Sequence, residues 1–352
     1  MSVPARWWAL PVVLVAVFMT TLDFFVANVA LPSIRADLGA GTGAGQFVIA
    51  GYGLAYAAGL IVSGRLGDLY GARRVFAIGL ALFTLASALC GAAPSAWALV
   101  AARVAQGVAA ALLAPQVLAL LGALFEGTDR ARAFGWYGTA VGLAGVSGQA
   151  IGGLLVAADP FGLGWRACFL INVPAGLAAL ALVPRLVPAL GRPRPRGGRL
   201  DLAGAGLVAG GLVAVVLPLV QGREQGWPVW AWASLGGSAA LLAAFVRRQR
   251  GLSAAGREPL LELGVFRERG FGTGLVAVAS LFGASAGLSF VLALHLQDGL
   301  GLSPLAAGTV GTALNAGFFM ASLRAGRAGR AGKRTGALVL LAGLGMLHQA
   351  VG

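Results

Sequence analysis

The chain has 352 residues, of which 58% are hydrophobic and 11% charged, against about 45–50% and about 25% in soluble domains. So few charged side chains cannot cover a soluble surface of this size, which argues against a soluble globular protein. The 56 glycines follow no collagen period, and Cys90 and Cys168 lie inside apolar runs, so the composition indicates neither a triple helix, a disulfide framework nor a cysteine-based zinc site.

Eleven apolar stretches are long enough to span a bilayer, which takes about 20 helical residues across a hydrocarbon core of about 30 Å. The two longest polar interruptions, 189–201 and 247–270, contain arginine, glycine and proline and read as exposed linkers. The sequence therefore predicts an all-α polytopic membrane protein. The stretches cover residues 7–31, 46–64, 75–93, 96–125, 134–157, 166–188, 202–221, 229–246, 271–296, 303–323 and 336–351.

The linkers divide the predicted spans into three groups. Residues 1–188 are expected to form an N-terminal six-helix bundle. Residues 189–250 are expected to hold a basic linker and two inserted helices, and residues 251–352 a partial C-terminal bundle of about three helices.

The net charge of +14 would suit nucleic-acid binding if the basic residues covered one soluble face. The positions of these residues along the chain therefore decide between nucleic-acid binding and membrane topology. Of the 26 lysines and arginines, 22 lie before the first span, or at the ends of even-numbered spans and in the loops after them, and three lie at or between the opposite ends. By the positive-inside rule this asymmetry places the N-terminus in the cytoplasm. The lipid bilayer, and not nucleic acid, is therefore the expected partner, and no metal or other cofactor is indicated.

Polar residues inside the apolar stretches are costly in lipid, so each is expected to face a bundle interior or a water-filled path. The first span holds Asp23 and Asn28, and the fourth holds Arg103 and Gln106. Asp23 lies about seven residues before the outer end of its span and Arg103 about seven residues after the outer start of its own, so both lie about 10 Å deep. We expect the two charges to face one another.

Two enzyme-like motifs lack the context that their chemistry needs. Ser285 stands in a G-x-S-x-G pattern, but in the middle of a predicted span and without a strand-turn-helix setting. The run from Gly329 to Arg334 lacks the serine or threonine of a phosphate loop. We therefore expect a protein that is not an enzyme.

A motif between the second and third spans resembles the signature of the major facilitator superfamily. It runs from Gly64 to Arg74, in a loop predicted to be cytoplasmic, with Leu69 and Ala72 where arginines are usual. The resemblance implies a gating loop, with a charge network weakened by those two changes. The matching residues are Gly64, Arg65, Gly67, Asp68, Gly71, Arg73 and Arg74.

Other motifs extend the resemblance to the fourteen-span drug:proton antiporters of that superfamily. Leu22 to Pro32 is similar to their first-span motif, Leu99 to Ala110 to the motif of a membrane-embedded arginine, and Trp165 to Pro174 to a sixth-span motif. The fifth span resembles the Gly-Pro-x-x-Gly-Gly motif of exporters, although close helix packing explains its glycines equally well. The matching residues are Gly148, Gln149 in place of proline, Gly152 and Gly153.

The resemblance implies helical bundles of the major-facilitator type that work by alternating access, exporting small lipophilic or cationic compounds as protons flow inward. The implied proton-coupling and substrate path holds Asp23, Asn28, Arg103 and Gln106. A carboxyl in a low-dielectric cavity favours its neutral form, which would let Asp23 bind and release a proton. Ion pairing with Arg103 leaves a purely structural role for Asp23 open.

A small-molecule substrate and protons are therefore the expected partners, and a multi-pass position in the plasma membrane is the expected location. The sequence does not indicate an oligomeric state. Eleven spans fall three short of the fourteen-span pattern, and residues 336–351 reach only about 24 Å. We therefore expect a truncated product of low transport competence. An inactive membrane protein and a uniporter or importer of a small metabolite remain the alternatives.

Overall fold

The computed structural model describes residues 3–189, 200–222, 225–268, 270–303, 306 and 309–310. Eight helical stretches in these residues are long and apolar enough to cross a membrane, with α6 and α7 together forming the sixth. This confirms the all-α polytopic fold class. The α-helices are α1 Val3–Leu38, α2 Thr42–Tyr70, α3 Ala72–Gly91, α4 Ala96–Leu124, α5 Gly127–Ala158, α6 Ala167–Leu170, α7 Asn172–Leu186, α8 Leu202–Gln221, α9 Val229–Ala254 and α10 Phe271–Leu294.

The helices are longer than the apolar stretches that predict them. α1 continues to Leu38, seven residues beyond the predicted end of the first span, and α5 begins at Gly127 instead of 134. Polar residues at these ends stop the apolar run but do not interrupt the helical hydrogen bonds, because arginine and aspartate are tolerated in helices. The predicted spans 303–323 and 336–351 lie almost wholly outside the described residues.

Two segments predicted as loops begin as helix, so the predicted ends of the preceding spans were wrong. Residues 64–70 form the last turns of α2, and the chain breaks only at Gly71, whose φ of 90° favours glycine. The predicted linker 247–270 begins inside a helix, since α9 continues to Ala254. In both cases charged residues outside the apolar run lead the sequence pattern to end the helix too early.

The sixth span begins irregularly. Two short 3₁₀ turns, Pro160–Gly162 and Gly164–Arg166, precede α6, and a turn at Ile171 separates α6 from α7. Asp37 at the end of α1 accepts hydrogen bonds from Trp165 Nε1 at 2.9 Å and Arg166 Nη1 at 2.7 Å. These contacts tie the start of the sixth span to α1.

The first six spans enclose two buried apolar clusters, one around Phe76 and Phe83 and one around Leu99 and Phe169. The face of α3 that points away from these clusters carries a stripe of large, exposed apolar residues at helical spacing. An exposed apolar stripe in a membrane protein is the face that meets lipid. The stripe consists of Ile78, Leu82, Leu85 and Leu89.

Candidate functional site

Asp23 of α1 and Arg103 of α4 form an ion pair at the centre of the first six spans. Arg103 Nη1 donates to Asp23 Oδ2, and neither side chain has any exposed area. The two charges therefore meet, as their equal depth predicts. Because water does not reach either charge, each depends on the other and on nearby hydrogen bonds for stabilisation.

Gln106 lies three residues after Arg103 on the same face of α4, and its side chain forms hydrogen bonds with both members of the ion pair. Its Oε1 accepts from Arg103 Nη1 at 2.7 Å and from Cys90 Sγ at 3.4 Å. Its Nε2 donates to Asp23 Oδ1 and to Ser87 Oγ, both at 2.8 Å. Because a guanidinium carries only donors, the Gln106 oxygen must face it and the Gln106 nitrogen must face Asp23.

Arg103 is also held by α2 and by aromatic rings. Its Nε donates to the Val48 carbonyl at 3.0 Å, and its guanidinium lies 4.2 Å from the Tyr52 ring centroid and 5.5 Å from that of Phe169. The Tyr52 hydroxyl donates to the Thr20 carbonyl at 3.1 Å. The cation thus sits among fixed partners, where cation–π attraction adds to its ion pair.

The sequence analysis did not include Asn172 among the site residues, although its side chain contacts Asp23. Its Nδ2 donates to Asp23 Oδ1 at 2.9 Å, and the residue is 1% exposed. Its signal in the sequence is a polar residue inside the apolar sixth stretch. Asn28 behaves differently, because its Nδ2 donates to the Phe24 carbonyl of its own helix at 2.7 Å. Three of the four predicted path residues therefore converge, and Asn28 is not among the hydrogen-bonded partners of Asp23.

The motif from Gly64 to Arg74 joins the ends of several helices. Arg65 forms an ion pair with Glu258, in the segment after α9, and lies 3.9 Å from Asp68. Arg73 Nη2 donates to the carbonyl of Pro184 near the end of α7, at 3.0 Å.

Gly67 of this motif allows α4 to approach α2. A Cβ at Gly67 would collide with the Gln116 side chain, whose Nε2 donates to the Ser63 carbonyl at 2.8 Å and to the Ser63 hydroxyl at 3.2 Å. A Cβ at Gly64 would meet open space, and Arg74 is exposed. The motif thus has a packing side and an open side.

The fifth-span glycines pack against α1. A Cβ at Gly148 would lie 2.8 Å from Phe25 Cβ, and one at Gly152 would lie 3.2 Å from Val26 Cα. Gln149 and Gly153 are buried between them. This geometry supports the packing explanation of the motif, and its link to export stays a prediction.

Comparison with known proteins agrees with these motifs. The sequence matches the Major Facilitator Superfamily over residues 13–351. The chain belongs to this superfamily. Its fold is similar to a crystal structure of a mutant peptide transporter in complex with sulfate, with a TM-score of 0.59 and 16% identity over 93% of this chain and 69% of that one.

Two relatives are named as a transporter and as an export protein. The Probable actinorhodin transporter of Streptomyces coelicolor is 45% identical over 300 residues, which are 85% of this superfamily member and 51% of the relative. The Cephamycin export protein CmcT of Amycolatopsis lactamdurans is 41% identical over 304 residues, which are 85% and 61% of the two chains. The chain thus spans about half to three fifths of the length of these relatives.

Proposed function

We propose that the protein exports small lipophilic or cationic compounds across the plasma membrane in exchange for protons. Membership of the Major Facilitator Superfamily and relatives named as a transporter and as an export protein support transport over catalysis. The observation that carries the proton-coupled part is the fully buried Asp23–Arg103 pair. We also infer that the N-terminus is cytoplasmic, from the 22 basic residues on that side.

Neutralising Asp23 would loosen the contacts between α1, α4 and α7. Both carboxylate oxygens accept hydrogen bonds, Oδ2 from Arg103 and Oδ1 from Gln106 and Asn172. A proton on Oδ1 would displace one of its two amide donors, and a proton on Oδ2 would weaken the bond from Arg103, so proton uptake requires the network to rearrange. Such a requirement couples protonation to conformation, which is what proton-driven alternating access needs.

The three predicted parts of the chain fit this mechanism. We propose that residues 1–188 form the bundle that carries the proton site, residues 189–250 the linker and inserted pair, and residues 251–352 part of the opposing bundle. In support, both buried apolar clusters consist of residues from 9 to 187. α8 and α9 pack mainly against each other and touch the first bundle through α2.

Ethidium transport in inside-out membrane vesicles tests the proposal. The vesicles should come from cells that express the gene, with vesicles from cells without it as the control. An imposed pH gradient, acidic inside, should drive ethidium accumulation, and a proton ionophore should abolish it. Ethidium that only equilibrates, whatever the gradient, would indicate a uniporter and contradict proton coupling. No uptake of ethidium or of other lipophilic probes above the control would contradict export.

A further inference from the structure

The three side chains that donate to Asp23 differ in what they could do once the carboxylate is neutral. Arg103 carries donors only. Gln106 cannot turn, because its oxygen faces Arg103 Nη1 at 2.7 Å and its nitrogen also donates to Ser87. Rotating this amide would aim its N–H groups at the guanidinium.

Asn172 is the donor that can turn. In the described part of the chain its side chain makes one hydrogen bond, to Asp23 Oδ1 at 2.9 Å. It is the first residue of α7, directly after the turn at Ile171. A carboxamide carries donors on its nitrogen and an acceptor on its oxygen, and half a turn about its last bond exchanges the two.

We propose that Asn172 stabilises Asp23 in both protonation states. Its nitrogen donates to the carboxylate, and after half a turn its oxygen accepts from the carboxyl O–H. This role deepens the proposed function and rests on it. Asn172 acts through Asp23 and is therefore a positioning residue.

The proposed proton position follows from the hydrogen bonds. A proton on Oδ2 would oppose the cationic Arg103 Nη1, whereas Oδ1 faces two neutral amides. When Oδ1 gains the proton, it donates to the turned Asn172 oxygen and keeps a lone pair that accepts from Gln106 Nε2, which also keeps its bond to Ser87. The bond between Arg103 and Gln106 stays in place. The rearrangement therefore falls on the contact between α1 and α7.

Other ionisable groups face the same carboxylate and stay unchanged in the test. Their effect on the titration midpoint is the same in every variant, so a difference in midpoint between variants reports the effect of Asn172. These groups are Arg103 of α4, Tyr52 of α2, Cys90 of α3 and Cys168 of α6.

Infrared difference titration of the purified protein tests the role without a transported substrate. The carbonyl band of a protonated carboxyl is followed as the pH is changed, and its loss in Asp23→Asn assigns it. Asn172→Leu keeps the volume but removes the hydrogen bond from both protonation states. A hydrogen bond to a carboxylate is about twice as strong as one from a neutral carboxyl, so the carboxylate loses more and the midpoint should rise by about one pH unit. Asn172→Thr, whose hydroxyl donates and accepts, should give a smaller rise and serves where the leucine variant does not fold.

Thr84→Val is the matched control. Thr84 of α3 packs against Gly176, four residues after Asn172 on α7, and its hydroxyl donates to the Leu80 carbonyl of its own helix at 2.8 Å. This variant should titrate like the wild type. Midpoints of both Asn172 variants equal to the wild type, or an equal shift in Thr84→Val, would overturn the role of Asn172. The absence of any titrating carboxyl band that disappears in Asp23→Asn would instead contradict the proposed function.

Discussion

Asp23 is the buried charge on which donors from α4 and α7 converge. A lone charged side chain at the bilayer centre costs about 2.5–3.5 kcal/mol on insertion scales. Removing one partner of a buried ion pair costs about 3–5 kcal/mol, because the other charge is left unpaired. The Asp23–Arg103 pair therefore fixes how α1 and α4 face each other, in addition to any role in proton binding.

Asp201, just before α8, is a second acidic residue that accepts several hydrogen bonds. Burial raises the pKa of Asp201, but hydrogen bonds from the Gly204 backbone, Arg248 and Gln249 outweigh it and hold the pKa below its ordinary value of 3.8. The Gly204 N–H lies 2.9 Å from Oδ1, which makes Asp201 the N-cap of α8. Gln249 Oε1 also accepts from the Leu260 N–H at 2.7 Å, so the residue links α8, α9 and the following segment.

Asp201→Ala should lower the stability of the purified protein by about 1–2 kcal/mol near pH 7, as expected for the loss of a helix cap. A group with a lowered pKa contributes stability above its ordinary pKa and loses it on protonation. The difference in melting temperature between variant and wild type should therefore shrink as the pH falls below about 4. Glu262→Ala, at an exposed position, is the control. A difference that stays constant with pH would contradict the assignment.

At the scale of helices, close packing between α1 and α5 depends on residues without side chains. The Cβ that Gly148 lacks would come within 2.8 Å of Phe25 Cβ, which is attached to the α1 backbone and cannot turn away. Gly138 on the same helix has nothing within 4 Å of its own missing Cβ. The two positions therefore separate the effect of packing from that of helix propensity.

Gly148→Ala should push α5 away from α1 and lower the stability by about 1–3 kcal/mol, as overpacking does. Gly138→Ala should leave the melting temperature unchanged or slightly higher, because alanine favours helix over glycine. Thermal melts of both purified variants give the comparison. Equal melting temperatures for the two variants would show that the contact does not limit packing.

The positions of the helices could be predicted because an apolar run is a local property of the sequence. The end of α2 could not, since the charged turn after Gly64 looks like a loop yet continues the helix to Gly71. The irregular start of the sixth span lies beside contacts between Asp37 and the Trp165–Arg166 pair, which are distant in sequence. Asp23 and Arg103 could be paired because their predicted depths in the membrane match. The hydrogen bond between Asn172 and Asp23 was found only in the structure.

At the scale of the whole molecule, the long-range ion pairs between helix ends in the described residues join ends predicted to lie on the same side of the membrane. Arg6 and Asp129 are 3.0 Å apart, and both belong to the predicted cytoplasmic side. The contacts of Arg65 with Glu258 and of Arg73 with Pro184 lie on that side too. The pair of Asp37 and Arg166 joins ends predicted to be outside. These contacts therefore agree with the orientations of the spans that the distribution of charge predicts.

Cysteine labelling at the two ends of α9 tests the orientation. Val229 is 85% exposed at the predicted outer end, and Ala255 is exposed at the predicted cytoplasmic end. In intact cells an impermeant thiol reagent should label Val229→Cys and should label Ala255→Cys only after the membrane is opened. The parent protein is the control, since Cys90 and Cys168 are buried. The reverse pattern would place the N-terminus outside.

Proton coupling through Asp23 is tested most directly by Asp23→Asn in the vesicle system, compared with the wild type at equal protein level. Asparagine keeps the size of the side chain but cannot exchange a proton, so ethidium should still equilibrate down its own gradient. The imposed pH gradient should no longer drive its accumulation. Accumulation at the wild-type level in Asp23→Asn vesicles would contradict the assignment and leave the buried pair a structural contact.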